Sequence, residues 1–386
     1  MTLLFLIQNT EDFSTLGNAI TAADLNRNAP PRLAQLLNDP DASLTAFVPT
    51  NGAFDNLEQV APGYFSQLLT PDFSLHLFNL LAFHVTEGQF TTVDFPLTDL
   101  MMLRSGTVDI SETGVITSVA PNAAQVLDPP GFQASNGIAQ VVNNVLLPQF
   151  VADNLLSALQ AQPDMFSTLL QLIEAAGLSD TVAGLSGVTL LAPTNDAIRD
   201  DTVEFLLAEG NEAILEGTVT YHIIDSIFNC AIQSVPNILL RGTAQGENIV
   251  VGLIFDDDNP GDILVSFNSA TRQGEILTQQ NIIYPIDAIL VPPTNSTVVP
   301  RTVGKFNLEV LTSNLNPFLG EATFVQQSNQ DSGLNMMQMG SFLYTTWEDW
   351  EDSEETVMKS QEESTTPATS SFATSLLFRM SNWFED

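Results

Sequence analysis

The chain has 386 residues, and Asp+Glu 46 against Lys+Arg 10 gives a formal net charge of −36. Hydrophobic residues at 44% and a mean hydropathy of +0.13 supply folded cores rather than a disordered polymer. So few bases cannot build the cationic patches that hold nucleic acid or anionic lipid headgroups, and both classes of partner are excluded.

In chain order, Leu3–Ile7 is apolar but has no basic flank, too little length and no small-residue cleavage site, so it does not read as an export signal. Phe13, Leu16, Ile20 and Leu25 fall on one helical face. Leu44–Val48 reads as a short strand stopped by Pro49-Thr50-Asn51. Proline ends the ladder there, and Thr or Asn offers an oxygen to cap a helix carrying Ala53-Phe54. A further helix leads into Phe83-His84. Strands follow at Thr107–Ile110 and Gly114–Val119, and a closing strand over Ile138–Leu147 ends at Pro148.

The same order then repeats. Phe166, Leu169, Leu170 and Ile173 form a helical face, and Val188–Leu191 is a strand stopped by Pro193-Thr194-Asn195. A helix carrying Ala197-Ile198 follows, then a helix into Tyr221-His222. Strands at Asn248–Ile254 and Ile263–Phe267 precede a closing strand over Ile282–Val291. Leu44–Phe54 matches Val188–Ile198, Val142–Pro148 matches Ile286–Pro292, Ala82–Val85 answers Thr220–Ile223, and Phe13–Leu16 answers Phe166–Leu169. Anchors in one order at nearly one offset mean two copies of a domain, because the unit is too long for a solenoid turn. Helices first and strands later give an α+β fold. Asn136-Gly137 before the first closing strand becomes Gln280-Asn281 in the second. Gly and Asn at 137 and 281 fit a turn with positive φ.

Thr45-Ala-Phe-Val-Pro-Thr-Asn-Gly-Ala-Phe54, the Tyr221-His222 segment, and Asn136-Gly137 leading to Val-Leu-Leu-Pro148 together resemble the fasciclin (FAS1) domain. The resemblance spans about residues 9–149 and 163–293. It implies a wedge-like β-sandwich with packed helices in each copy, no catalysis and no cofactor. It further implies a non-enzymatic extracellular or cell-surface role in adhesion or matrix interaction, with a matrix or cell-surface protein or glycan as partner. The domains are expected at 1–150 and 163–293, with a 294–343 extension that could pack on the second. The first copy departs from the family with Phe83 in place of Tyr, and with Asn143 where the second keeps Asp287. The family's integrin-linked Asp-Ile pair corresponds to Glu275-Ile276 and to Gly131-Phe132, neither of which keeps the Asp, so integrin binding is not supported. The expected partner-binding residues are Tyr221, His222, Phe83, His84, Glu275 and Ile276, while the motif faces around Thr50-Asn51, Thr194-Asn195 and Tyr221-His222 serve mainly as fold determinants.

Other chemistry has little footing. His76, His84 and His222 are too separated to form a visible triad or metal trio; the equivalent pair His84 and His222 reads best as imidazoles bonded to backbone at a helix–strand junction. Cys230, the sole cysteine, lies in an apolar stretch and reads as a buried small hydrophobe. Asp256, Asp257, Asp258 and Asp262 crowd a Pro-Gly turn that could bind Ca²⁺. The EF-hand pattern fails at Pro260 and Phe267, and a solvated hairpin is the favoured reading. The alternative function is accordingly a small-ligand or cation-binding protein on the same scaffold. Asn295-Ser-Thr297 is the single glycosylation sequon.

No run reaches the roughly 20 apolar residues that span a bilayer. The region after Tyr344 is acidic and Ser/Thr-rich and is expected to be disordered. An extracellular location without a visible leader means either that Met1 is internal to a longer precursor or that the protein stays inside. Residues 1–150 carry 14 acids and 3 bases, residues 151–300 carry 19 and 3, and residues 301–386 carry 13 and 4. Both copies therefore share the acidity, which suits a medium where salt screens repulsion.

Overall fold

A computed structural model describes residues 1–25, 32–118, 123–127, 131–230, 237–255, 263–268 and 270–293. Strands of the first copy are β1 Leu44–Pro49, β2 Val85–Glu87, β3 Leu97–Met101, β4 Thr107–Ile110, β5 Val115–Thr117, β6 Ala124–Gln125, β7 Phe132–Ala134 and β8 Gly137–Val142. Those of the second are β9 Thr189–Pro193, β10 Ile223–Ile224, β11 Asn237–Gly242, β12 Asn248–Phe255, β13 Ile263–Phe267, β14 Ala270–Thr271, β15 Ile276–Leu277 and β16 Ile282–Ile286. Each copy builds two four-stranded sheets. The orders are β2-β1-β8-β7 with β3-β4-β5-β6, and β10-β9-β16-β15 with β11-β12-β13-β14. The architecture is α+β, as the order of helical and strand patterns implies.

Burial on both faces explains why β1 and β9 are apolar runs apart from Thr45 and Thr189. Along β1, Leu44, Ala46 and Val48 turn to a core shared with the helices, while Phe47 faces Val108, Ile110 and Ile116 of the second sheet. In the second copy Leu190 and Ala192 join the helical core, and Leu191 meets Val251, Leu253 and Val265. The period of two thus divides each domain into a helix–sheet core and a sheet–sheet core. The closing strands β8 and β16 lie parallel to β1 and β9 at the centre.

The opening helices form at Ser14–Leu25 and Pro163–Ala175. Leu25 is exposed rather than on the buried face. Leu3–Gln8 is a helix capped by the Thr2 hydroxyl, and it buries Leu3, Leu6 and Ile7 in the first core, which accounts for that short apolar run. In the first copy Thr50 accepts from Ala53 N–H and starts the helix Asn51–Val60. In the second, Asn195–Ala197 is a single 3-10 turn, Ile198 is extended, and the helix starts only at Asp200. Twenty-seven positions separate Asn195 from His222, against thirty-three between Asn51 and His84, so the second copy has less chain for this helix.

Two expectations about the closing strands need correcting. The ladders stop at Val142 and Ile286 rather than at Leu147 and Val291, because the backbone beyond them bonds elsewhere, as shown below. Position 281 has no positive φ; among described residues outside glycine, positive φ occurs at Asp99, Ser105 and Asn268. Glycine at 137 instead answers a close approach: a Cβ there would lie 2.1 Å from Leu44 O. In the second copy the ladder begins one pair later, at Thr189↔Ile282, and Asn281 Oδ1 accepts the Val188 N–H at 3.1 Å.

Candidate functional site

The two motif histidines occupy the same place in each domain. His84 ends the helix Ser74–Ala82, and its Nδ1 lies 2.8 Å from Leu80 O, one helical turn back. Its Nε2 accepts the Leu146 N–H at 2.8 Å. Nε2 can accept only if the ring's proton is on Nδ1, so Nδ1–H donates to Leu80 O and the imidazole is neutral. His222, after the helix Glu212–Tyr221, repeats this with Thr218 O at 2.8 Å and Leu290 N at 2.9 Å. These bonds take the backbone after β8 and β16 out of the ladder, which is why the closing strands end early. Burial pushes both imidazoles down to about 4, with the carbonyl bond opposing it.

Around them the repeat motifs interlock. Asn51 Oδ1 accepts the Thr15 N–H at 3.0 Å, and its amide donates to Glu11 O. Asn195 Oδ1 accepts the Thr168 N–H at 2.9 Å and its amide donates to Asp164 O. The Pro-Thr-Asn and Phe-Ser-Thr-Leu motifs recur together because one holds the other. Buried Thr45 donates to Gly88 O and accepts the Phe90 N–H; Thr189 does the same with Ser226 O and Phe228 N. Sequence reasoning passed over these threonines, although a hydroxyl at one position of two otherwise apolar strands was a visible signal. Asp287 accepts from Thr271 N–H at 2.7 Å, and Asn143 Oδ1 accepts from Gln125 N–H at 2.8 Å. The first copy loses the charge at this position but keeps the bond.

Of the expected partner-binding residues, Phe83, His84, Tyr221 and His222 are all buried. The Tyr221 hydroxyl donates to Asn248 O at 3.0 Å and accepts from Asn268 Nδ2 at 3.0 Å, tying the helix end to the second sheet. These four side chains hold the domain together and present no surface to a partner. Glu275 reaches solvent, with its carboxylate 3.4 Å from Arg272 Nη1, and Ile276 is half-buried against the second helical core. The equivalent Phe132 on edge strand β7 is 46% exposed. A Cβ on Gly131 would fall 2.2 Å from Ala139 O, so the first copy has no room for an acid there.

Cys230 is buried, and its thiol is pushed up to about 11 by that burial; it is not a thiolate nucleophile at neutral pH. Among the described residues no three His, Cys, Asp or Glu side chains cluster to hold a metal. Asp256, Asp257, Asp258, Asp262 and Asn295 lie outside the described residues, as do the 294–343 extension and the acidic tail. A cleft beside Thr92, Phe95, Glu112 and Val126 has a volume near 220 Å³, below the roughly 300–1,000 Å³ of ordinary ligand sites.

The fasciclin domain model matches residues 11–148 and 164–292. The chain belongs to the fasciclin domain family. Over 295 residues it is 25% identical to transforming growth factor-beta-induced protein ig-h3 of Sus scrofa, covering 74% of this chain and 40% of that protein. Over 141 residues it is 33% identical to an uncharacterized protein of Synechocystis, covering 36% of this chain and 90% of that protein. The solved FAS1 domain pair of the insect cell adhesion molecule fasciclin I is similar at 11% identity and a TM-score of 0.39, covering 76% of this chain and 97% of that one. The fasciclin chain described here thus spans about 40% of the length of its animal relative. No helix among the described residues is long and apolar enough to cross a membrane.

Proposed function

We propose that this fasciclin protein is an extracellular or cell-surface adhesion or matrix-interaction scaffold, recognising a protein or glycan through the outer edges of its two domains. The observation that carries this reading is how the motif residues are used. Phe83, His84, Tyr221 and His222 are consumed in internal packing and backbone bonds. Phe132 and Glu275, adjacent in register at equivalent sheet edges, face solvent. In this reading the buried four brace the sheet, and Glu275, Ile276 and Phe132 make contact. A paired scaffold gains avidity when both edges engage one partner.

Attachment of cells, or capture of matrix components, on the immobilised protein tests this. Phe132→Ser and Glu275→Ala are expected to lower attachment without moving the melting temperature. Full attachment by both folded variants would remove these edges from the account, and a wild-type protein that holds neither cells nor matrix would remove the adhesive role.

A further inference from the structure

The start of the helix Ser74–Ala82, in the first domain, penetrates the second. Leu75 is buried within the second domain's sheet–sheet core, beside Leu191 and Tyr221. Ser74 Oγ accepts from Asn229 Nδ2 at 3.1 Å. Asp153 O accepts the Gln279 N–H at 3.0 Å, and Gln280 Nε2 lies 3.4 Å from Gln67 Oε1. At the centre is His76, fully buried, whose Nε2 is 3.1 Å from Asn281 O across the joint. Its ring packs on Phe73 at 5.0 Å and Phe150 at 6.0 Å, and its Nδ1 has no hydrogen-bond partner among the described residues.

We propose that His76 is an acid-released latch: neutral, it fastens the two fasciclin domains together, and protonated, it opens the joint between them. The neutral ring carries its proton on Nε2 and donates it to Asn281 O, leaving a bare Nδ1 among aromatic rings. A second proton has to sit on Nδ1, where none of the described residues offers a hydrogen-bond acceptor or a counter-ion for the buried charge. His76 is the third residue of its helix, so the positive end of the peptide dipoles disfavours that charge further.

None of the described elements packed on the ring brings it a free counter-ion. The turn Pro71–Phe73 carries Asp72, which is exposed. The turn after β8 leads to Asp153, whose Oδ1 is engaged by Gln149 Nε2 at 3.0 Å. The segment Thr278–Asn281 has no titratable residue, and Arg272 and Glu275 ahead of it pair with each other. Its carbonyls at Asn281 and Thr278 favour the charged ring, but burial outweighs them and lowers His76 to about 4. Opening the joint lets water reach Nδ1 and restores an ordinary imidazole.

Because a closed joint refuses a proton that an open one accepts near pH 6.5, the open population should rise roughly thirty-fold between pH 7.5 and pH 5. Hydrogen exchange on the full chain, corrected for intrinsic rates, reads this directly. Residues 74–83 and 278–281 should lose about thirty-fold in protection in that window and stay less protected than β1 and β8, which exchange only when a whole domain unfolds. His76→Gln and His76→Phe remove the titrating group, the latter preserving ring packing, and either variant that closes at pH 7.5 should keep the joint protected at pH 5. The proposal is overturned if wild-type protection at the joint is unchanged down to pH 5. It is equally overturned if the joint is as well protected as β1 and β8 at pH 5, or if the variants lose protection as the wild type does.

Discussion

Lowering the pH from 7.5 to 5 should remove a large part of this protein's stability, and the structure sets the amount. His76, His84 and His222 are buried and held down to about 4 by desolvation, against about 6.5 in an unfolded chain. A base whose pKa is lower in the folded state takes up its proton first in the unfolded state. The stability it permits is therefore complete above about pH 6.5 and is lost as the pH falls toward 4. At pH 5 each histidine accounts for about 2 kcal/mol and the three together for about 6 kcal/mol, comparable with the ~5–15 kcal/mol that holds a domain folded. Urea denaturation followed by far-ultraviolet circular dichroism measures it as a falling midpoint. Carboxylate protonation relieves charge repulsion over the same range, so the series belongs in about 0.5 M salt, where that repulsion is screened. A midpoint that stays flat from pH 7.5 to pH 5 would refute the reasoning.

Two further changes probe the scaffold. Gly137→Ala places a methyl 2.1 Å from the Leu44 carbonyl of the paired strand, and should cost about 3 kcal/mol or more as a lowered denaturation midpoint; a neutral result would mean that β1 and β8 do not approach so closely. Tyr221→Phe removes the hydroxyl shared by Asn248 and Asn268 and should cost about 1–2 kcal/mol without unfolding the domain, since Phe83 fills the equivalent place in the first copy. Thermal melting distinguishes that modest loss from collapse.

The repeat was legible because its anchors are the residues that bond the backbone. Asn51 and Asn195 clamp the opening helices, and Thr45 and Thr189 pin the loops after the histidines. His84 and His222 reach the chain beyond the closing strand. Polar side chains with such fixed duties recur at fixed spacing, so comparing the two copies exposes them. The ends of the closing strands were not legible: an apolar run such as Val145–Leu147 has the same composition whether its N–H groups bond a neighbouring strand or an imidazole. Glycine at 137 was visible, but its cause was a close strand approach and not a turn angle. The joint was the least legible, because Ser74, Leu75 and His76 look like any apolar helix start until the second domain is placed against them.

The central claim is that the motif histidines are neutral internal clamps and not surface chemistry. With three histidines in the chain, a long-range ¹H–¹⁵N correlation spectrum of the imidazole rings decides it. His84 and His222 should both show the neutral Nδ1–H form at pH 7 and keep it to about pH 5. Either ring in the Nε2–H form, or titrating near the unperturbed pH of about 6.5 while the domain stays folded, would contradict the account.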